Sequence, residues 1–133
     1  MNKKLLIILV LLLTLTFVGC KKEKEEPKKD EPKVEEKAIF ELDEYKGLIL
    51  DDIIEIETVK YTEGGDNHET TIDKEEITRI FNMLKGTKIG DLTERACDDN
   101  TTVYRLKTKD KTYSFEFECS WFVYNGKRYD VVK

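Results

Sequence analysis

Residues 101–132 read TTVYRLKTKDKTYSFEFECSWFVYNGKRYDVV, and their alternation decides the fold. Residues 101–108 and 112–119 are rich in β-branched and aromatic side chains, which suit a pleated, half-buried surface, and a tight Lys109-Asp110-Lys111 turn separates them. In the second run Tyr113, Phe115, Phe117 and Cys119 share one face, while Ser114, Glu116 and Glu118 share the other. Strand side chains alternate with period two, so this predicts a sheet with one face buried and one in water. Asn125-Gly126 then joins residues 121–124 to 127–132, because Asn-Gly tolerates the positive φ angles of a type I′ hairpin turn. That register sets Phe122 opposite Tyr129. Phe122 is out of phase with Phe117, which predicts a bend or bulge at Cys119-Ser120.

One helix is predicted upstream. Asp73 with Glu76 three residues later reads as a capping box, in which the Asp accepts from a first-turn amide and the Glu reaches back. Ile77, Ile80, Phe81 and Leu84 fall at i, i+3, i+4 and i+7, one apolar stripe for a core, and Gly86 follows as C-cap. Between helix and meander, residues 87–96 are weakly patterned and hold at most an edge strand. Ahead of the helix, residues 53–62 (IIEIETVKYT) alternate, with Ile54 and Ile56 in one phase and Val59 and Tyr61 in the other. This predicts a strand with a bulge near Thr58. Residues 63–67 (EGGDN) form a turn cluster, and residues 68–72 return as a short strand. Residues 41–50 suggest a short helix or turn closing at Gly47. The expected fold of residues 39–133 is α+β: one amphipathic helix packed on an antiparallel sheet of about four to six strands, in the order β-β-α-β-β-β-β.

Those residues carry 14 Lys plus Arg against 21 Asp plus Glu, a net of minus seven. Nucleic-acid binding needs a basic face, so this balance argues against it, and equally against adhesion to anionic lipid.

At the other end of the chain, Lys3 and Lys4 precede an apolar run, residues 5–18, broken only by Thr14 and Thr16. Fourteen helical residues span about 21 Å, short of the ~30 Å hydrocarbon core, so the run has the length of a signal-peptide segment rather than a membrane span. It ends at Phe17-Val18-Gly19-Cys20. This resembles the lipobox of bacterial lipoproteins, although Phe17 stands where that family usually has Leu. The resemblance implies a signal peptide over residues 1–19, removed just before Cys20, and a diacylglyceryl group on Cys20. It further implies a protein anchored to the cell membrane on its extracytoplasmic face. Residues 21–38 carry seven lysines, seven acidic residues and two prolines, with almost no apolar side chain, and read as a charged, disordered tether. The domain beyond is similar to the small Lys- and Glu-rich domains that follow lipoprotein signals in Gram-positive bacteria.

With Cys20 taken by lipid, Cys97 and Cys119 remain in an oxidising exterior, where two thiols are expected to pair. If Thr101 pairs with Cys119, a turn at Asp98-Asp99-Asn100 brings Cys97 back within bonding reach. Catalytic signals are sparse. The single histidine, His68, stands near Asp66 and Glu69 without the ligand spacing of a zinc site. Glu116 and Glu118 lie about 7 Å apart on one strand face, within the range of glycosidase pairs, yet any wet sheet places carboxylates so. Asp98-Asp99-Asn100 lacks EF-hand spacing, and the chain has neither a Gly-rich phosphate loop nor a nucleophile elbow. No cofactor or metal is expected.

Two functional classes follow. The first is a non-enzymatic binding module that offers Trp121, Tyr124 and Arg128 to an envelope protein or peptide, since aromatic and Arg side chains are the usual anchors. Its pointed form is an inhibitor or immunity lipoprotein directed at an incoming hydrolase. The second is a small envelope hydrolase that uses Glu116 or Glu118 with His68.

Overall fold

The computed structural model describes residues 35–97 and 100–132. The expected signal peptide, Cys20, most of the expected tether and Asp98-Asp99 lie outside them. Strand β1 is Lys37–Ala38, and three 3-10 turns follow at Ile39–Glu41, Asp43–Tyr45 and Leu50–Asp52. Then come β2 (Glu55–Thr62), β3 (Gly65–Thr71), helix α1 (Lys74–Lys85), β4 (Lys88–Thr93), β5 (Asn100–Lys107), β6 (Thr112–Glu118), β7 (Trp121–Tyr124) and β8 (Lys127–Val132). The strands form one antiparallel sheet in the order β1-β4-β8-β7-β6-β5-β2-β3.

The α+β class with one helix holds, but eight strands replace the four to six expected. The two strands beyond the expected order, β1 and β4, have reasons for escaping the alternation test. β1 is two residues long, and β4 (KIGDLT) shifts register between Ile89 and Leu92, which scrambles its pattern. β3 (GDNHETT) is a polar outer strand, and it begins at Gly65 rather than His68 because Glu63-Gly64 alone make the turn. Gly65 has φ +118°, a conformation that other residues rarely adopt.

The core lies on one face of the sheet. Ile56, Leu106, Phe115 and Phe122 form its floor, and α1 lays Ile77, Ile80, Phe81 and Leu84 upon it as the stripe predicts. The irregular segment before β2 covers the rest, burying Ile39, Leu42, Tyr45, Leu48 and Ile53. Tyr45 is its anchor. The ring stacks on Phe115 with centroids 4.1 Å apart, and the hydroxyl donates to the Ser114 carbonyl oxygen at 2.7 Å. Burial pushes this phenol above its ordinary range. Phe40 closes the gap toward the helix, edge-on to Phe81 at 5.2 Å and stacked on Phe115 at 5.6 Å.

Three local expectations are corrected. β2 pairs with β5 without interruption from Glu55 to Thr62, so no bulge lies at Thr58. Ile56 faces the core, and Val59 and Tyr61 face the opposite side, where Val59 is fully buried. Both faces of β2 are therefore partly covered, which a phase change also signals. The capping box is half made: the Asp73 carboxylate accepts from the Glu76 N–H at 2.9 Å, but Glu76 turns forward and accepts from Arg79 Nε at 2.8 Å. Cys119-Ser120 is neither bend nor bulge. Thr101 pairs with Glu118 and Glu118 pairs with Trp121, so these two residues are a hairpin turn, with Cys119 at φ +52°. Reversal of the chain puts Phe117 directly opposite Phe122, with ring centroids 5.3 Å apart. The expected pairing of Phe122 with Tyr129 is present.

Leaving the strand, Cys119 donates its N–H to the Asn100 carbonyl at 2.7 Å, and its Cα lies 6.1 Å from that of Cys97. The two cysteines stand at disulfide distance, 22 residues apart in sequence.

Two stability predictions follow from this packing. Phe115→Ala is expected to destabilise the fold by about 3–5 kcal/mol and Tyr45→Phe by about 1 kcal/mol in urea unfolding. A loss under about 1 kcal/mol for Phe115→Ala would show that the Tyr45 segment does not depend on that ring. Converting both Cys97 and Cys119 to serine should lower stability by about 3 kcal/mol relative to the oxidised protein, the loop-closure value for this separation. An unfolding curve of the parent that reductant leaves unmoved would contradict the pairing.

Candidate functional site on the open face of the sheet

The face opposite the core is an ordered array, because paired strand residues share a face. One row across the strands is His68, Val59, Val103, Glu116, Val123 and Arg128. Beside it runs Asp66, Tyr61, Thr101, Glu118, Trp121 and Asp130, and on the other flank Thr70, Glu57, Arg105 and Ser114. Three valines thus line the middle row.

Most charges on this face are already matched. Arg105 Nη1 donates to Glu57 Oε2 at 3.0 Å, and His68 Nδ1 lies 3.4 Å from Glu57 Oε1. Lys107 pairs with Glu55, and Arg128 reaches diagonally over β7 to Glu118. Glu118 is held closely, its side chain only 17% exposed. The hydrogen bonds from Arg105 first, and His68 second, hold the Glu57 carboxyl below the usual carboxylate range. Glu116, Asp66 and Asp130 meet no cation among the described residues, and Glu116 is half-buried between Val103 and Val123.

The sequence-derived site residues divide between the two faces. Trp121 and Arg128 lie on the open face, while Tyr124 lies on the core face, with its ring 6.3 Å from that of Tyr45 and 6.5 Å from that of Phe122. The three therefore do not form one surface, and Arg128 is engaged by Glu118. Parity gives the reason: positions 121 and 124 differ by an odd number along one strand. His68 shares a row with Glu116 but stands three strands away, about 14 Å, too far for the two to act on one bond. Asp66 and His68 share the open side of β3, whereas Glu69 points to the other side and accepts from Asn67 Nδ2 at 3.2 Å. Among the described residues no group of three or more acidic, His or Cys side chains could hold a metal, and Asp98-Asp99 lie outside them.

The residues that sequence reasoning missed are Asp130, beside Trp121, and the Glu57–Arg105 pair. Alternation carried outward from the Asn125-Gly126 hairpin would have placed Asp130, whereas Arg105 needed the β2–β5 pairing. Beside Asp130, at the end of β6 and β8, a depression of about 410 Å³ is lined by Phe117, Ser120, Asp130 and Val131. A more polar hollow of about 280 Å³ lies at the β5–β6 turn, among Asp51, Asp52, Ile54, Thr108, Lys109 and Asp110. The open face thus carries apolar, acidic and paired basic side chains in adjoining rows.

Acid should weaken the lattice in a defined direction. The Glu57 pKa is depressed in the folded state, so its stabilisation is complete above the ordinary glutamate value, about 4.3, and is lost as pH falls through the folded value. Urea midpoints at pH 7 and pH 3 should therefore differ less in Glu57→Gln than in the parent; an identical difference would rule out this contribution. Comparison with known protein families, curated proteins and solved structures finds no match to this chain.

Proposed function

We propose that this protein is a lipid-anchored, extracytoplasmic, non-enzymatic binding module that uses the open face of its sheet. The observation that carries the reading is the position of Trp121. It sits between Glu118 and Asp130 on a face where most other charges are neutralised by one another. A half-buried aromatic flanked by acids is a partner's anchor point, whereas an enzyme needs convergent acid and base groups, and two strands lie between His68 and Glu116. The anchor rests on Phe17-Val18-Gly19-Cys20 and the apolar run before it. Two acyl chains on Cys20 hold a protein durably, where one chain holds it marginally. Among the described residues no helix is long and apolar enough to cross a membrane.

Two experiments test the two halves. Cys20→Ala is expected to abolish incorporation of radiolabelled fatty acid and to leave the protein unprocessed or shed into the medium; label that persists in the variant would refute the anchor. A photo-crosslinking residue at Ser114, on the open face, should give adducts on intact cells that the same residue at Asn82, exposed on α1, does not. Equal yields at the two positions would overturn the binding reading.

A further inference from the structure

The open face contains four positions at the corners of one rectangle, Glu116 and Glu118 on β6 and Arg128 and Asp130 on β8, with Val123 and Trp121 of β7 between them. One diagonal is closed by the Glu118–Arg128 ion pair. The other is open: Glu116 and Asp130 carry no cation among the described residues. With strands about 4.8 Å apart and side chains on one face about 6.8 Å apart along a strand, these two carboxylates stand about 12 Å from each other.

That spacing corresponds to one ligand geometry. Side chains at i and i+4 on one side of an extended peptide are about 13 Å apart, and the residue between them, at i+2, points the same way. Laid along the open diagonal, such a segment crosses β7 between Val123 and Trp121, where its middle side chain lies over the Glu118–Arg128 pair and the two apolar side chains that flank it. A net charge of minus seven over residues 39–133 draws the same class of ligand from a distance.

We propose that Glu116, Trp121 and Asp130 form a docking site for an extended basic segment of a partner polypeptide, with two cationic side chains four residues apart. The proposal rests on the reading of the open face as a binding surface and adds the chemistry of the partner. Glu116 and Asp130 each receive one cation, and the Trp121 ring packs against the stem of the segment. The Glu118–Arg128 pair forms the floor beneath it and keeps Glu118 from competing for a cation. An acidic segment meets two carboxylates and is repelled.

Trp121 is the only tryptophan in the chain, so its emission reports on this site directly. The full-length protein in neutral detergent micelles is titrated with the blocked peptide Lys-Thr-Val-Thr-Lys and, separately, with Glu-Thr-Val-Thr-Glu. The basic peptide should shift Trp121 emission saturably, with an affinity that falls as salt rises, while the acidic peptide should give no shift. Glu116→Gln and Asp130→Asn should each weaken binding about fivefold or more, with unfolding midpoints unchanged. Moving the lysines from i and i+4 to i and i+1 should weaken it similarly. No saturable shift, equal response to both peptides, or parent affinity in Glu116→Gln would each overturn the proposal. Adducts from Ser114 in cells, together with failure of this titration, would leave the binding surface standing and remove only the basic segment. Absence of the adducts would remove the surface itself.

Discussion

A mismatch of width governs this fold. Eight strands about 4.8 Å apart make a sheet about 34 Å wide, and the described chain has one helix of 12 residues to cover it, about 18 Å long and 10 Å across. Helix α1 cannot bury one whole face, let alone two. The irregular segment before β2 supplies what the helix lacks, and it does so through side chains rather than regular structure. Ile39 joins its N–H to the Thr87 carbonyl at 3.0 Å, and Tyr45 fastens the middle of the segment to Phe115 and to the Ser114 carbonyl. Without those contacts the 3-10 turns have too few internal hydrogen bonds to persist, because so short a turn gains little from its own backbone.

Among the described residues no helix or irregular segment covers the second face, and a different device operates there. Val59 is fully buried on that side, with His68 and Val103 beside it across the strands and Glu57 and Tyr61 along its own. Long charged side chains lie over apolar neighbours with their stems and neutralise one another with their ends. Half-exposed ion pairs add little to stability, so the effect of the Glu57–Arg105 and Glu118–Arg128 pairs is mainly spatial. They withdraw part of the face from solvent and from partners. What they leave available is the area around Glu116, Trp121 and Asp130.

The parts of this structure that were legible in the sequence are those where one face is wet and the other dry. The stripe of Ile77, Ile80, Phe81 and Leu84, the alternation of β6 and the Asn125-Gly126 hairpin all satisfy that condition, and the structure follows them. β2 does not satisfy it. With Ile56 buried on one side and Val59 on the other, its pattern imitates a bulge. The segment with Tyr45 was opaque because its core residues, at positions 39, 42, 45 and 48, recur every third residue in turns too short to count as a helix. For the site, Trp121 and Arg128 share the open face while Tyr124 lies on the core face, a division that strand parity in residues 121–124 already implies. The identity of the free carboxylates could not be read at all, since it depends on which acids the pairing of distant strands gives to Arg105, Lys107 and Arg128.

The turn at Cys119-Ser120 connects these points. A slip of one residue in the β6–β7 pairing would carry Phe117 or Phe122 to the open face and move Glu116 or Trp121 into the core, because strand side chains alternate strictly. Two-residue turns fix register through their backbone angles, yet Cys119 has φ +52° without being glycine, a conformation that needs support from its surroundings. Support comes from both sides: the Cys119 N–H bonds the Asn100 carbonyl, and Cys97 stands at disulfide distance. Both ties join the turn to the chain around the start of β5. The cysteine pair therefore bears less on the core, which Phe115 and Tyr45 already secure, than on the register that sets Trp121 between Glu118 and Asp130.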